Sequence, residues 1–448
     1  MQETVNASSK PYPPASRAWY AVAVLTLAYI LSFIDRQILS LLVVPIRRDL
    51  HISDTQMSLL MGLSFALFYS LFGFPLGRLA DSRSRRNIIT YGIIAWSVCT
   101  AGCGVASSYT RLFLMRVGVG VGEAALSPPA YSMLSDYFAA HRRALALSVY
   151  ALGIFLGSGV AMILGGVVVT YTSTGNRITL PVIGLPIFPW QLTFFLVGIP
   201  GLMIAALVRT VREPQRRERM GAGSPPIRAT MVYMLKHRAT FGCHHFAAAM
   251  MSVVMYGSLA WVPTFLIRTY GLSANRAGLG FGLEVAICSS LGILSGGWLC
   301  DRLARRGYYD AHFRVGLIMS LLNLLPALLF PLMHSAAWAF VLMAPFTFFM
   351  ATIYGVAPAA LQQVVPNEMR GQVSAMYLFV VNIVGLAAGP TAIALFTDHV
   401  FHSDNSIRYS LLVVFAGAYA VAALLWWIGL KPYRRTVDLA ASAMSASL

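Results

Sequence analysis

Long apolar runs alternate with short polar connections along the chain, and twelve of the runs are long enough to cross roughly 30 Å of hydrocarbon at about 1.5 Å per helical residue. They fall near 19–45, 57–80, 88–106, 111–137, 144–172, 190–208, 239–268, 276–300, 314–333, 337–363, 371–397 and 408–430, and are numbered here as spans 1 to 12. The longest polar segment on the side of the termini, VRTVREPQRRERMGAGSPPIRATMVYMLKHR, lies between spans 6 and 7 and divides the runs six and six. The pattern predicts an all-α membrane protein of two six-helix bundles, 19–208 and 239–430. A linker over 209–238 joins them, with tails at 1–18 and 431–448.

Composition excludes a water-soluble alternative. With 58% apolar and 11% charged residues, the chain lacks the polar side chains to build a wet surface. The polar N-terminal stretch leads into an apolar run too long for a removable signal and without a small-residue cleavage site, so span 1 is expected to stay. An even number of spans puts both termini on one side. Loops on that side hold 24 of the 33 Lys and Arg, the opposite loops hold 7, and Arg36 and Arg116 fall within spans. The positive-inside rule therefore predicts cytoplasmic termini. The net charge of +17 is spread over these loops, where it fixes topology and meets anionic lipid, so nucleic acid is not an expected partner. The five cysteines lie in apolar segments without metal-ligand spacing, and neither a metal nor an organic cofactor is expected. Short outer loops point to a bacterial inner membrane; the loop at 171–189 has no assignable role.

An internal repeat supports the division into halves. GRLADSRSRR at 77–86 follows span 2 and GWLCDRLARR at 297–306 follows span 8, so Gly77, Asp81, Arg85 and Arg86 match Gly297, Asp301, Arg305 and Arg306 at one offset of 220 residues. A weaker echo pairs DYFAAHRRALALS after span 4, with Arg142 and Arg143, and PNEMRGQVSA after span 10. Parallel repeats of this kind are built to rock about a central site.

The Gly-x-x-x-Asp-x-x-x-Arg-Arg signature, its partial copy, and Arg116 leading into a glycine-rich span 4 resemble the major facilitator superfamily across the whole chain. Within it, YILSFIDRQIL in span 1, RVGVGVGEA in span 4 and LGSGVA in span 5 are similar to the Spinster family of lipid transporters. The chain departs from that family at Gly153-Ile-Phe-Leu, where a proline commonly precedes the Gly-Ser-Gly. The superfamily resemblance implies the major facilitator fold, alternating access and a latch on the side of the termini made of Gly77, Asp81, Arg85, Arg86, Asp301, Arg305, Arg142 and Arg143, in which Asp81 meets an arginine or a helix N-terminus of the other half when the carrier faces outward. The plain alternative is positive-inside anchoring.

Charges within spans are costly and normally face a cavity or a partner. Asp35 and Arg36 lie in span 1, Arg116 and Glu123 in span 4, and Glu284 in span 8. Arg116 and Glu123, seven residues apart, share a helix face at roughly 8 Å and roughly 18 Å from the outer end. Asp35 lies near the depth of Arg116, so an Asp35–Arg116 pair is expected to leave Glu123 beside the cavity. The proposed chemistry is proton exchange by Glu123 and Asp35, with Arg116 or Arg36 holding an anionic head group. The Spinster resemblance implies the same four residues; the plain alternative is a structural cluster tying span 1 to span 4. Glu284 is a candidate second proton site or a carboxylate reaching water. His244 and His245 are expected to be solvated at the interface.

The remaining cavity candidates, Tyr256, Trp261, Thr347, Tyr354, Tyr377 and Asn382, are apolar or weakly polar. They set a charged N-terminal half against an aromatic C-terminal half, which suits an amphiphile. Glycines 118, 120, 122, 157, 159, 165 and 166 are read as packing positions, as are Gly385 and Gly389, with Pro390 a kink. The expected function is proton-coupled transport of a lipid-like organic anion by a monomer, as the resemblance to lysophospholipid and sphingosine-phosphate carriers implies. The alternatives are export or exchange of drugs or small anions and, much less favoured, an intramembrane hydrolase built on Ser158.

Overall fold

The computed structural model describes residues 12–172, 178–179, 186–216 and 226–445. Among the described residues, the twelve predicted spans are helical and form two bundles of six. In the first bundle these are span 1 (Ala15–Leu41), span 2 (Asp54–Met61 and Leu63–Ser82), span 3 (Arg85–Cys103), span 4 (Tyr109–Glu123 and Ser127–Tyr137), span 5 (Ala140–Thr172) and span 6 (Pro189–Thr210). The second bundle holds span 7 (Arg238–Tyr270), span 8 (Ala274–Glu284, continuing to Arg305), span 9 (Ala311–Leu329), span 10 (Ala336–Ala351 and Ile353–Val364), span 11 (Arg370–Val381, continuing to Val400) and span 12 (Ile407–Ser445). Ten of the twelve are long and apolar enough to cross a membrane by length and composition alone. Spans 3 and 4 complete the two bundles of six.

The interruptions have local causes. Span 2 breaks at Gly62, where a Cβ would sit 2.5 Å from the Leu386 carbonyl oxygen of span 11, so only glycine lets the halves touch there. Span 4 stops after Glu123 and resumes at Ser127-Pro128-Pro129, since prolines suit the first turn of a helix but not its interior. The expected distortion at Pro390 is present as wide turns over 382–388 and 396–400 on either side of the Gly389–Leu395 helix. Proline supplies no N–H and crowds the carbonyl four residues back, here Leu386, and the extra residue per turn over 382–388 relieves both.

Span 5 is a continuous helix through Gly157-Ser158-Gly159 and packs on both halves. Gly157 and Gly165 lie against Ile30, Phe33, Ile38 and Leu41 of span 1. Gly159 and Gly166 meet the backbone of span 8 at Gly282 and Ala274, where a Cβ would come within 2.5 and 2.7 Å. These glycines do pack, and Gly120 and Gly122 likewise lie against the backbones of Phe65 and Trp96.

Two boundaries differ from the hydropathy reading. Span 12 continues well past 430 on the side of the termini, because Tyr433 donates to Gln363 Oε1 (2.8 Å) and Arg434 pairs with buried Asp310 (2.6 Å). These are tertiary anchors that hydropathy does not register. The linker contains a helix, Ile227–Lys236. The outer loop pairs Ile178–Thr179 with Pro186–Ile187 as a short antiparallel ribbon; residues 1–11, 173–177, 180–185, 217–225 and 446–448, which belong to the predicted tail, loop and linker regions, lie outside the described residues.

Candidate functional site

Span 1 supplies the central cation. Arg36 donates from Nε to Glu123 Oε2 (2.6 Å), and its Nη2 forms an ion pair with the same oxygen at 2.6 Å. Its guanidinium lies 4.8, 4.4 and 5.1 Å from the ring centroids of Phe33, Phe65 and Tyr69. Each such contact is worth about 0.5–2 kcal/mol depending on desolvation, so the rings hold the cation without supplying a second anion. Glu123 is buried at the end of the Tyr109–Glu123 helix, and its Oε1 has no hydrogen-bond partner among the described residues. Arg36 also lines a cavity between the halves, together with Met61 and Phe65 of span 2, Tyr256 and Leu259 of span 7, and Leu386 of span 11.

Behind this pair lies a second charged group. Arg116, also buried, donates from Nη1 to the main-chain carbonyl of Asp35 (3.1 Å), and its Nε and Nη2 and the Asp35 Oδ1 have no hydrogen-bond partner among the described residues. The expected Asp35–Arg116 carboxylate pair is therefore replaced by a side chain-to-backbone bond, and Glu123 pairs with Arg36 instead. Helical phase explains the exchange: Asp35 and Arg36 are neighbours about 100° apart, so span 1 turns one towards span 4's arginine and the other towards its carboxylate.

On the face opposite the termini the halves are sealed by an ion cluster that sequence reasoning missed. Asp54, fully buried, accepts from Arg268 Nη1 and Nη2 at 2.6 and 2.8 Å and pairs with Arg47 at 3.1 Å. Arg47 also reaches Asp404 at 2.6 Å. Asp398 Oδ2 accepts from the backbone N–H and hydroxyl of Thr55 at 2.6 and 2.7 Å. Burial alone would raise the Asp404 carboxyl, but the hydrogen bond from Arg47 and the charge of Arg268 hold it below its ordinary value. The available signal was the Ser53-Asp54-Thr55-Gln56 capping box opening span 2, which places a carboxylate at a helix N-terminus facing the outer loops.

The latch residues are expected to meet across the halves when the carrier faces outward; in this structure, sealed opposite the termini, Arg85 and Arg305 bond within their own halves. Arg85 is buried and committed to its own bundle, bonding Asp136 (2.5 Å), Glu213 Oε1 (2.9 Å), Ser132 Oγ (2.9 Å) and the Pro214 carbonyl (3.1 Å). Arg86 donates its backbone N–H to Glu213 Oε2 (2.8 Å). Burial would raise the Glu213 carboxyl, but bonds from the Arg86 backbone, Arg85 and Ser84 hold it below its ordinary value. Arg85 thus clamps the ends of spans 3, 4 and 6 and does not reach across to the other half. Arg305 is exposed and bonds the Asp301 carbonyl one turn back (3.4 Å); Arg142 is exposed and Arg143 half-buried. Gly77 lies 3.9 Å, at its notional Cβ, from Pro128 of span 4. The side chain of Asp81 lies outside the described residues.

In the C-terminal half Tyr256 lines the cavity, and Tyr354 donates to Ser252 Oγ (3.2 Å) while its ring meets Phe155 of the other half edge-on. Trp261 is not a cavity residue here: it is fully buried and donates to the Pro390 carbonyl (2.9 Å), joining spans 7 and 11. Thr347 is likewise buried, bonded within span 10. Asn382 opens the wide turn of span 11. Tyr377 packs against His244 and His245. These histidines are buried, not solvated, and His244 Nε2 lies 2.8 Å from the Ala357 carbonyl. Near the termini-side end of the helix, tertiary cover has replaced the expected water. Glu284 is partly buried before the wide turn 285–289, and its Oε2 has no hydrogen-bond partner among the described residues. Ser158 donates to the Ile154 carbonyl one turn back (2.7 Å), a helix-internal bond that leaves no nucleophile arrangement.

Two six-helix bundles, sealed at one face and lined between them by a partnered arginine, define a membrane transporter rather than an enzyme. The chain belongs to the Major Facilitator Superfamily, whose sequence profile matches residues 25–390. It is 29% identical over 428 residues to an MFS-type efflux pump of Mycolicibacterium smegmatis, covering 94% of each chain. Spinster homolog 3 of Danio rerio is 30% identical over 56% of this chain and 49% of its own. In fold, it is similar to a bacterial homolog of the human lysosomal transporter Spinster in an inward-facing, unoccupied conformation: TM-score 0.75, 24% identity, 95% and 98% coverage.

Proposed function

We propose that this transporter moves an amphiphilic organic anion of the lysophospholipid or sphingosine-phosphate type by alternating access, in exchange with or accompanied by protons, across a cell inner membrane with both termini cytoplasmic. The observation that carries the reading is the Arg36–Glu123 pair. A guanidinium on the cavity wall with a single carboxylate partner binds an anionic head group once that carboxylate takes up a proton, and regains the carboxylate when the proton leaves. Anion and proton occupancy are then thermodynamically linked, which is what coupling requires. Asp35, whose Oδ1 has no hydrogen-bond partner among the described residues, offers a second proton position beside the first, with the Arg116 cation next to it. Met61, Phe65, Tyr256, Leu259 and Leu386 offer apolar surface for a tail. In this conformation the seal opposite the termini would be the closed gate. A sphingosine-1-phosphate transporter of Danio rerio is 26% identical over 64% of this chain and supports the lipid-like substrate.

A second reading is efflux or exchange of drugs or small organic anions, favoured by the full-length similarity to the mycobacterial efflux pump. Thermal stabilisation of purified protein by lysolipids, compact organic anions and cationic drugs separates the two. Stabilisation by an acylated phosphate that disappears in Arg36→Ala supports the first; stabilisation by compact solutes or drugs alone supports the second. In proteoliposomes, Glu123→Gln is expected to abolish pH-dependent transport, and undiminished coupling would remove the proton role.

A further inference from the structure

The linker helix Ile227–Lys236 ends at His237, where span 7 begins. One side of it is committed to the second bundle. Thr230 is buried, the Tyr233 hydroxyl donates to the Val364 carbonyl at the end of span 10 (2.6 Å), and the Tyr233 ring lies 5.9 Å from Phe241. The other side is apolar and turned outward: Ile227, Met231, Val232 and Leu235 are 51, 47, 57 and 66% exposed. Positions 227, 231 and 235 are four apart and form one stripe. Arg228, Lys236 and Arg238 are exposed around it, and no aspartate or glutamate occurs from 219 to 283.

A helix with an outward apolar stripe, a wholly basic flank and direct continuity into a spanning helix has the chemistry of a membrane-surface element. The continuity fixes the partner, because the helix ends at His237, where span 7 begins, and so lies at the level at which that span leaves the bilayer. We propose that Ile227–Lys236 lies in the head-group layer of the leaflet on the side of the termini and binds anionic lipid, with the stripe at the acyl boundary and Arg228, Lys236 and Arg238 on the phosphates. The linker's other end is fixed to the first bundle, where Arg216 Nη2 donates to the Ala80 and Arg83 carbonyls at 2.6 Å. Lipid charge thereby acts on a segment tied to both halves.

The test uses full-length protein, its five cysteines replaced, carrying one nitroxide at Met231→Cys or Leu235→Cys, in nanodiscs of neutral phosphatidylcholine or of mixed phosphatidylcholine and phosphatidylglycerol. Oxygen and a water-soluble nickel chelate report immersion. The label is expected about 5–10 Å below the head groups in anionic discs, and high salt is expected to withdraw it without any further substitution. Neutralising Arg228→Gln, Lys236→Gln and Arg238→Gln is expected to lower the immersed fraction's equilibrium about five-fold per charge, at unchanged melting temperature. Nickel-accessible labels in anionic discs, equal immersion in neutral and anionic discs, or shielding that depends on protein concentration, as a second copy would give, each overturns the proposal.

Discussion

Replacing Asp54 with asparagine removes the anion at the centre of the seal opposite the termini. Asp54 is fully buried and faces two guanidiniums, Arg268 through two hydrogen bonds and Arg47 at 3.1 Å. The cluster of Arg47, Arg268, Asp54 and Asp404 is electrically balanced; the substitution leaves one positive charge in excess. Breaking a buried ion pair costs about 3–5 kcal/mol, mostly from stranding the partner. Arg47 keeps its 2.6 Å contact with Asp404 and Arg268 a weaker one at 3.8 Å, which argues for the lower end, about 3 kcal/mol. The conformation open to that face must separate these groups in any case, so the cost falls on the sealed state. At about 1.4 kcal/mol per decade, the sealed-to-open ratio should fall roughly 150-fold. A membrane-impermeant maleimide applied to that face should then react much faster with Ala260→Cys, a cavity-lining position beneath the seal, in a background without the native cysteines. A labelling rate within two-fold of the parent, in protein that remains folded, would refute the assignment of these charges as the gate.

Three further outcomes follow from the packing and charges. Arg85→Ala removes the buried guanidinium that bonds Asp136, Glu213 and the Pro214 carbonyl and should destabilise the first bundle by about 3 kcal/mol, the lower end for a broken buried pair because Glu213 keeps its bonds from Ser84 and Arg86, seen as a lower melting temperature; an unchanged value would mean that water satisfies the site. Gly159→Ala places a Cβ 2.5 Å from the Gly282 carbonyl, between two backbones that cannot yield, and should cost about 1–3 kcal/mol while slowing transport more than it reduces folded yield. Glu213 and Asp404 both have lowered pKa values. Their stabilising contributions are complete above the ordinary values of 4.5 and 3.8 and are lost as pH falls through the lower folded values. Melting temperature should therefore fall at acid pH, and Glu213→Gln should flatten part of that fall.

Much of the architecture was legible because the bilayer imposes a simple rule: uninterrupted apolar runs of spanning length, a polar break at the middle and a repeated Gly-x-x-x-Asp pattern. The charged residues within spans were legible for the same reason, since a costly intramembrane charge marks a cavity or a partner. Their partners were not. The choice of Arg36 over Arg116 for Glu123 depends on how far span 1 is rotated, and hydropathy carries no rotational phase across two helices. His244, Trp261 and Arg85 show the same limit from the other direction, because each looked interfacial or ligand-facing until neighbouring spans covered it.

The gate opposite the termini was decided by tertiary structure alone. Arg47, Asp54, Arg268 and Asp404 come from loops and span ends up to 357 residues apart, and each by itself is an ordinary polar residue near a membrane surface. Sequence determined that the chain spans a membrane in two repeated halves and which few charges it carries inside. Only tertiary packing, of spans within a half and of one half against the other, determined which charges meet, since that depends on helix rotation and on backbone approach at glycines such as Gly62, Gly159 and Gly282.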